Sequence, residues 1–196
     1  MDLIIATHNK HKVEEIKTLL NGKFDKILSA SEAGFFTDVE ETGSTFFENA
    51  KLKADFLKAQ LKDSNFAILS DDSGLCVNAL GGQPGVNSNR LCIESDYKAN
   101  RQYLLKLLEG KTDRRAKFET CVVFIYPNGT TLSATGSTTG TITTEEIGDG
   151  SFGYECVFKS DDLGITFGQA TKEQKNSVSH RARALKNLCN LLEKFN

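Results

Sequence analysis

Asp2-Leu3-Ile4-Ile5-Ala6-Thr7-His8-Asn9-Lys10-His11-Lys12-Val13 is the stretch whose reading decides the fold. Its apolar run through Ala6 predicts a buried strand, and Val13, Ile16 and Leu20 then recur at helical spacing. The segment is strand, loop and helix, with Thr7 to Lys12 as the loop. Further along, Thr45-Phe46-Phe47-Glu48 matches a capping box, and Phe47, Ala50, Ala54, Leu57 and Leu61 follow as one apolar stripe, which predicts a second amphipathic helix. Phe66-Ala67-Ile68-Leu69 reads as a strand that ends at Ser70-Asp71-Asp72-Ser73-Gly74, an acidic turn. Leu104, Leu105 and Leu108 predict a helix that stops at Gly110, and Phe118 to Tyr126 a central strand, apolar on both faces. Pro127-Asn128-Gly129 turns the chain into Thr130 to Thr144, one or two strands with a hydroxyl-bearing face. Gly148 to Gly153 is expected as a flexible loop, and Val178, Ala182, Leu185, Leu188 and Leu192 line one face of a final helix. Crossover helices mixed with a hairpin predict an α/β fold in which a mixed sheet is flanked by helices.

Composition narrows the partners. The 196 residues suffice for one folding unit with a substantial core. With 24 basic and 26 acidic residues the net charge is -2, so no overall field recruits nucleic acid or a membrane surface. The run from Met1 to Ala6 is too short for a signal peptide or a membrane span, so a cytoplasmic location is expected. Five cysteines, widely spaced and without a C-x-x-C pair, read as reduced and mostly buried. Asn128-Gly129-Thr130 matches a glycosylation sequon but is better explained as a hairpin turn.

Three clusters carry candidate chemistry. Thr7, His8, Asn9, Lys10, His11 and Lys12 sit between a strand and a helix N-terminus, where free amides and the helix dipole favour a phosphate; equally, Thr7 or Asn9 simply caps the helix. Asp71-Asp72 and the upstream Glu40-Glu41 offer the carboxylates that Mg²⁺ takes alongside phosphate oxygens and water, although adjacent acids are common on surfaces. Lys53, one position from the stripe residue Ala54, points either to solvent or along a cleft. The third cluster, Phe152-Gly153-Tyr154-Glu155 with Lys175 and His180-Arg181, pairs aromatics that can stack on a base with polar groups that can read its edge; core packing of the aromatics is the plain alternative. Neither a P-loop nor a G-x-G-x-x-G fingerprint is present, so a nucleotide site here is of another design.

Taken in order, these clusters resemble the inosine triphosphate pyrophosphatase family, the non-canonical purine nucleotide pyrophosphatases of the Ham1 type. Thr7 to Lys12 resembles its T-G-N-x-x-K, Glu40 to Ala50 its E-x-x-G-x-T-F-x-E-N-A, and Ser70 to Arg90 its A-D-D-S-G-L-x-V-x-x-L-x-G-x-P-G-x-x-S-x-R. Gly153-Tyr154-Glu155 and Lys175 to Arg181 complete the match, the latter resembling K-x-x-I-S-H-R. The resemblance implies a long curved mixed sheet with two lobes around a central cleft within a single domain over residues 1–196, and a homodimer. It also implies Mg²⁺-dependent hydrolysis of ITP, dITP or XTP to the monophosphate and pyrophosphate, a house-cleaning of the nucleotide pool. Carried over by position, Glu40 and Asp72 would hold Mg²⁺ and Asp72 would activate water. Thr7, Asn9, Lys12, Lys53 and Ser73, with their neighbours His8, Lys10 and His11, would hold the phosphates. Phe152 would stack on the base, and Gly153, Tyr154, Glu155, Lys175, His180 and Arg181 would frame it.

The chain departs from the pattern in three places. His8 replaces a glycine in the phosphate loop, Glu155-Cys156 replaces Asp-Pro, and Gln169 stands where the family has Glu. None of these is a proposed metal ligand, so base preference is the property they touch. A Maf-like pyrophosphatase acting on modified pyrimidine nucleotides is the competing enzyme reading, and a nucleotide-binding module without turnover is the competing non-enzyme reading.

Overall fold

Strand β1 (Leu3–Ile5) pairs in parallel with β2 (Ile27–Ser29) on one side and β3 (Ala67–Val77) on the other. Both connections cross over through a helix, α1 (Lys10–Leu19) and α2 (Phe46–Gln60) respectively, as parallel pairing requires. This is a computed structural model, and it describes residues 1–61, 65–149 and 152–195. Beyond β3 come α3 (Tyr97–Leu107), β4 (Arg115–Ile125), β5 (Thr131–Ile142), β6 (Phe158–Ser160), α4 (Lys172–Val178) and α5 (His180–Phe195). The six strands form one sheet in the order β2-β1-β3-β4-β5-β6, with β6 antiparallel to β5. The α/β class and mixed sheet expected from the sequence are therefore present.

The chain divides into two compact units, Met1–Asp72 with Thr120–Gly136 and Arg183–Asn196, and Ser73–Glu119 with Ser137–Ala182. In the first, strand alternation splits the core in two. Leu3, Ile5, Leu69, Val122 and Phe124 pack with Ile16 of α1, with Leu20 just after it, and with Leu185, Leu188 and Leu192 of α5. Ile4, Ile68, Val123 and Ile125 point the other way, onto Ala50, Ala54 and Leu57 of α2. The strands are buried on both faces and so read as continuous apolar runs. The second unit has one core, in which Leu75, Val77, Leu104, Leu108, Phe118 and Phe158 meet.

Local signals explain most element boundaries. Thr45 and Glu48 form the predicted capping box, Asn9 caps α1, and Gly110 takes a left-handed φ of 71° after α3. The β4–β5 turn is held by the Asn128 side chain accepting from the Thr130 amide at 2.9 Å, the turn role expected of the sequon. Strand β5 is a single strand whose Thr131, Ser133, Thr135, Ser137, Thr139 and Thr141 are exposed while Ala134, Thr138 and Ile142 are buried. Of the five cysteines, Cys121 and Cys156 are buried, Cys76 and Cys189 are half-buried, and Cys92 is exposed.

Four expectations are corrected. The strand after Phe66 does not end in an acidic turn at Ser70: β3 continues to Val77, with Asp71 and Asp72 inside it. Gly74 serves close approach rather than a turn, because a Cβ there would lie 2.2 Å from the Gly85 carbonyl oxygen and 2.5 Å from Ser88 Oγ. Gly74→Ala should therefore lower unfolding stability by about 2 kcal/mol or more, measured by chemical denaturation. The final helical stretch is broken at Ser179, whose extended backbone ends α4 and whose Oγ accepts from the Ala182 amide at 3.2 Å. Val178 thus packs in the second unit's core, and Ala184 joins the α5 stripe in the first. Phe47 is 43 % exposed rather than part of the α2 stripe. Residues 150–151 of the expected Gly148 to Gly153 loop lie outside the described residues.

One ion pair gives a pH signature. Glu32 accepts from Lys17 Nζ at 2.7 Å and from the Ser29 amide at 2.7 Å, and these bonds hold its carboxyl down to about 2. A carboxyl depressed in the folded state stabilises it above the unfolded-state value of about 4.3, and this contribution fades as pH falls toward the folded value. Glu32→Gln should lower Tm at pH 7, with the gap from wild type closing as pH approaches about 2 in thermal scans.

Candidate active site

The first unit assembles a charged cluster around β3. Neighbouring residues on a strand face opposite sides of the sheet, so Asp71 is presented to the α1 side and Asp72 to the α2 side. Asp71 is 0 % exposed and lies 3.2 Å from Lys12 Nζ in the first turn of α1. Asp72 is 5 % exposed; its Oδ2 accepts from Asn49 Nδ2 at 3.1 Å, and its Oδ1 is 3.8 Å from Lys53 Nζ. Asn49 and Lys53 are four residues apart on the buried face of α2, one turn above the other. Asn49 Oδ1 also accepts from the Gly43 amide at 2.7 Å, and Lys53 pairs with Glu41 at 2.5 Å.

These contacts set the ionisation of the cluster. Burial pushes the Asp72 carboxyl up from the ordinary carboxylate range, with Glu41 adding to the rise, while Lys53, Lys12 and the Asn49 amide hold it back. Burial by itself would depress Lys53, but Asp72, Glu41 and Asp71 outweigh it and the ammonium is held above its usual value. The outcome is a fixed cation beside a carboxylate of raised basicity.

Around this centre, Thr7 is buried and its Oγ1 accepts from the Asn9 amide at 3.2 Å. Asn9 Oδ1 takes the His11 and Lys12 amides, so two of the helix-end donors are used by the cap and the charge is supplied by the Lys12 side chain. Lys10 and His11 are exposed on the first turn of α1. His8 contacts Ser31 Oγ at 3.1 Å and the Thr37 carbonyl oxygen at 3.4 Å, which ties the loop before α1 to the segment preceding Glu40. Glu40 is exposed, and Glu41 is the acid that reaches Lys53.

A second group of predicted residues lies in the second unit. Ser73 Oγ is 3.1 Å from Arg181 Nη2, and Arg181 is 1 % exposed. His180 stacks on Phe118 with centroids 4.9 Å apart. Glu155 and Lys175 form an ion pair at 2.5 Å, and Lys175 Nζ is 6.0 Å from the Phe152 ring centroid. Phe152 is half-buried, but Tyr154 is turned into the core, where it donates its hydroxyl to the Ser88 carbonyl at 2.8 Å and burial pushes its phenol up. Gly153 has a left-handed φ of 54° and its carbonyl accepts from Arg101 Nη1 at 2.9 Å.

The Ham1 family model matches residues 3–191. The chain belongs to the Ham1 family. It is 43% identical to the dITP/XTP pyrophosphatase of Thermoanaerobacter sp. (strain X514), over 99% of this chain and 98% of that protein. It is 41% identical to the dITP/XTP pyrophosphatase of Bacillus subtilis (strain 168), over 98% of this chain and 97% of that one. Among solved structures, the Staphylococcus aureus Ham1 protein matches with a TM-score of 0.87 and 37% identity over 100% of both chains. No helix among the described residues is long and apolar enough to cross a membrane.

Two buried polar residues of this Ham1 chain were given no role by sequence reasoning, Asn49 and Arg101, whereas Glu41 and Asp71 were read as carboxylates for Mg²⁺ and here pair with Lys53 and Lys12. Asn49 falls inside the quoted Glu40 to Ala50 motif, so its position was available but its role was not. Arg101 carried no signal, since an arginine on a helix reads as solvated.

Proposed function

We propose that this chain hydrolyses nucleoside triphosphates between the α and β phosphates, acting on the non-canonical purine substrates ITP, dITP and XTP. The observation that carries the reading is the buried Asp72 carboxylate, raised in basicity and aimed by Asn49 beside the fixed cation of Lys53. The Ham1 membership and the names of the relatives support the reaction class.

Cleaving this anhydride needs a base for water and positive charge on the phosphoryl oxygens, and a divalent metal is the usual partner of such a site. The donor chemistry fits Mg²⁺: Asp72 and Glu40 would offer hard carboxylate oxygens, and since no group of three or more His, Cys, Asp or Glu gathers among the described residues, phosphate oxygens and water would fill the remaining positions. When bound, Mg²⁺ supplies charge neutralisation at the phosphates and acidifies water. Asp72 accepts the proton of the attacking water. Lys12 and Lys53 offset the charge that grows on the phosphoryl oxygens and the departing pyrophosphate. In the second unit, Phe152 stacks on the base, and the Glu155–Lys175 pair presents polar atoms to its edge. We place the working enzyme in the cytoplasm as a Mg²⁺-dependent homodimer.

The test is pyrophosphate release from ITP, XTP, dITP, GTP and ATP with and without Mg²⁺. Metal-dependent turnover of ITP or XTP well above ATP is expected. Binding of these nucleotides without turnover of any would instead make the chain a non-catalytic nucleotide-binding module.

A further inference from the structure

Helix α3 belongs to the second unit, and one of its faces carries a polar pair that the reaction as described does not use. Tyr97 and Arg101 are four residues apart and so share one face of the helix. Tyr97 meets the Phe152 ring edge-on, with centroids 5.2 Å apart and planes at 69°. Arg101 is 6 % exposed and divides its guanidinium between Glu146, at 2.8 Å from Nε, and the Gly153 carbonyl, at 2.9 Å from Nη1. One helix face thus holds the ring of residue 152 and the backbone of residue 153.

We propose that Tyr97 and Arg101 are positioning residues that set base discrimination by fixing Phe152 and Gly153 from behind. The proposal rests on the reading of Phe152 as the base-stacking residue. A stacked ring sets the tilt and depth of the purine, and so which edge atoms meet the Glu155–Lys175 pair; a ring free to rotate loses that entropy on each encounter. The two contacts are complementary: an edge-to-face pair orients the Phe152 ring, and the arginine donor fixes the backbone from which the ring departs.

The platform is rigid. Asp96 caps α3 by accepting from the Ala99 amide at 2.9 Å, and Leu104 and Leu108 anchor its C-terminal end in the core. Between them, Asn100 is 0 % exposed, accepts from the Cys92 and Ile93 amides, and donates to the Asn89 and Ile93 carbonyls. Tyr97 and Arg101 therefore project from a helix held at both ends and at its middle. Lysine cannot replace Arg101, because one ammonium on a flexible stem does not reproduce two donors fixed in a plane.

The experiment is steady-state kinetics of wild type, Tyr97→Leu, Tyr97→Phe and Arg101→Lys on ITP and ATP with Mg²⁺, each variant first shown folded by circular dichroism. Tyr97→Leu should shrink the ITP-over-ATP ratio of kcat/KM by about fivefold to tenfold, the worth of an aromatic pair. The loss should fall on KM for ITP rather than on kcat, since stacking is made equally in ground and transition states. Tyr97→Phe keeps the ring and should restore the wild-type ratio, and Arg101→Lys should lower it. Wild-type preference retained in both Tyr97→Leu and Arg101→Lys, or a loss in Tyr97→Leu that appears in kcat alone, would overturn the role of α3. If wild type itself shows no preference among bases, the base-reading assignment of Phe152 falls, and this proposal with it. Should Arg101→Lys not fold, the Tyr97 pair decides alone.

Discussion

Asp72→Asn should lower kcat for ITP by about 10³-fold or more while nucleotide binding persists, because the amide cannot accept the water proton and is a poorer ligand for a hard cation. The same substitution should leave the protein as stable as wild type or more stable at pH 7. Burial raises the Asp72 carboxyl, so its ionised form is disfavoured in the folded state, and the penalty grows as pH rises above the unfolded-state value of about 3.9. An asparagine removes that penalty and can still pair with Asn49. Single-turnover kinetics with thermal unfolding in the absence of metal measures both halves. Loss of activity accompanied by a large fall in Tm would mean that Asp72 is structural, and the catalytic account would fail. A site held at a cost in stability is what function-driven placement of charge produces.

The second large effect is expected at Lys53. It is 7 % exposed, pairs with Glu41 at 2.5 Å and lies 3.8 Å from Asp72. Lys53→Met keeps the length of the stem but deletes the charge, leaving two buried aspartates and Glu41 with Lys12 as the remaining cation of the cluster. Removing one partner of a buried charge set costs about 3 kcal/mol, because the other charges stay desolvated. Here stability and catalysis should fall together, with kcat/KM reduced by about 10²-fold or more through loss of charge compensation on the phosphates. Denaturant titration and initial rates check the two parts. A variant of wild-type kcat/KM would remove Lys53 from the phosphate-binding role, whatever its stability. The contrast between Asp72→Asn and Lys53→Met separates a residue that the fold tolerates from one that the fold also needs.

Much of the scaffold was legible in the sequence because its signals are local. The Thr45–Glu48 box, the Asn9 cap, the Gly110 stop and the alternation of Thr131 to Ile142 each depend on residues a few positions apart, and each appears in the structure. The continuation of β3 was not legible for a physical reason. Ser-Asp-Asp-Ser-Gly has the composition of a turn, and what keeps it extended is its partners: Lys12 on α1, and Asn49 and Lys53 on α2, 23 residues before Asp72 in the case of Asn49. Central-strand carboxylates become intelligible only once those cations are placed. The same logic hid Arg101 and Asn100, buried polar residues on a helix whose partners lie on segments the local pattern does not join to it. At Tyr154 the sequence left base contact and core packing both open, and its hydroxyl takes a backbone partner in the core.

The central claim is the position of cleavage, and product analysis tests it most directly. ITP hydrolysed with Mg²⁺ should yield inosine monophosphate and pyrophosphate in equal amounts from the earliest time points, with no inosine diphosphate, as resolved by ion-exchange chromatography. Inosine diphosphate and inorganic phosphate as the first products would place attack at the terminal phosphate and contradict the account.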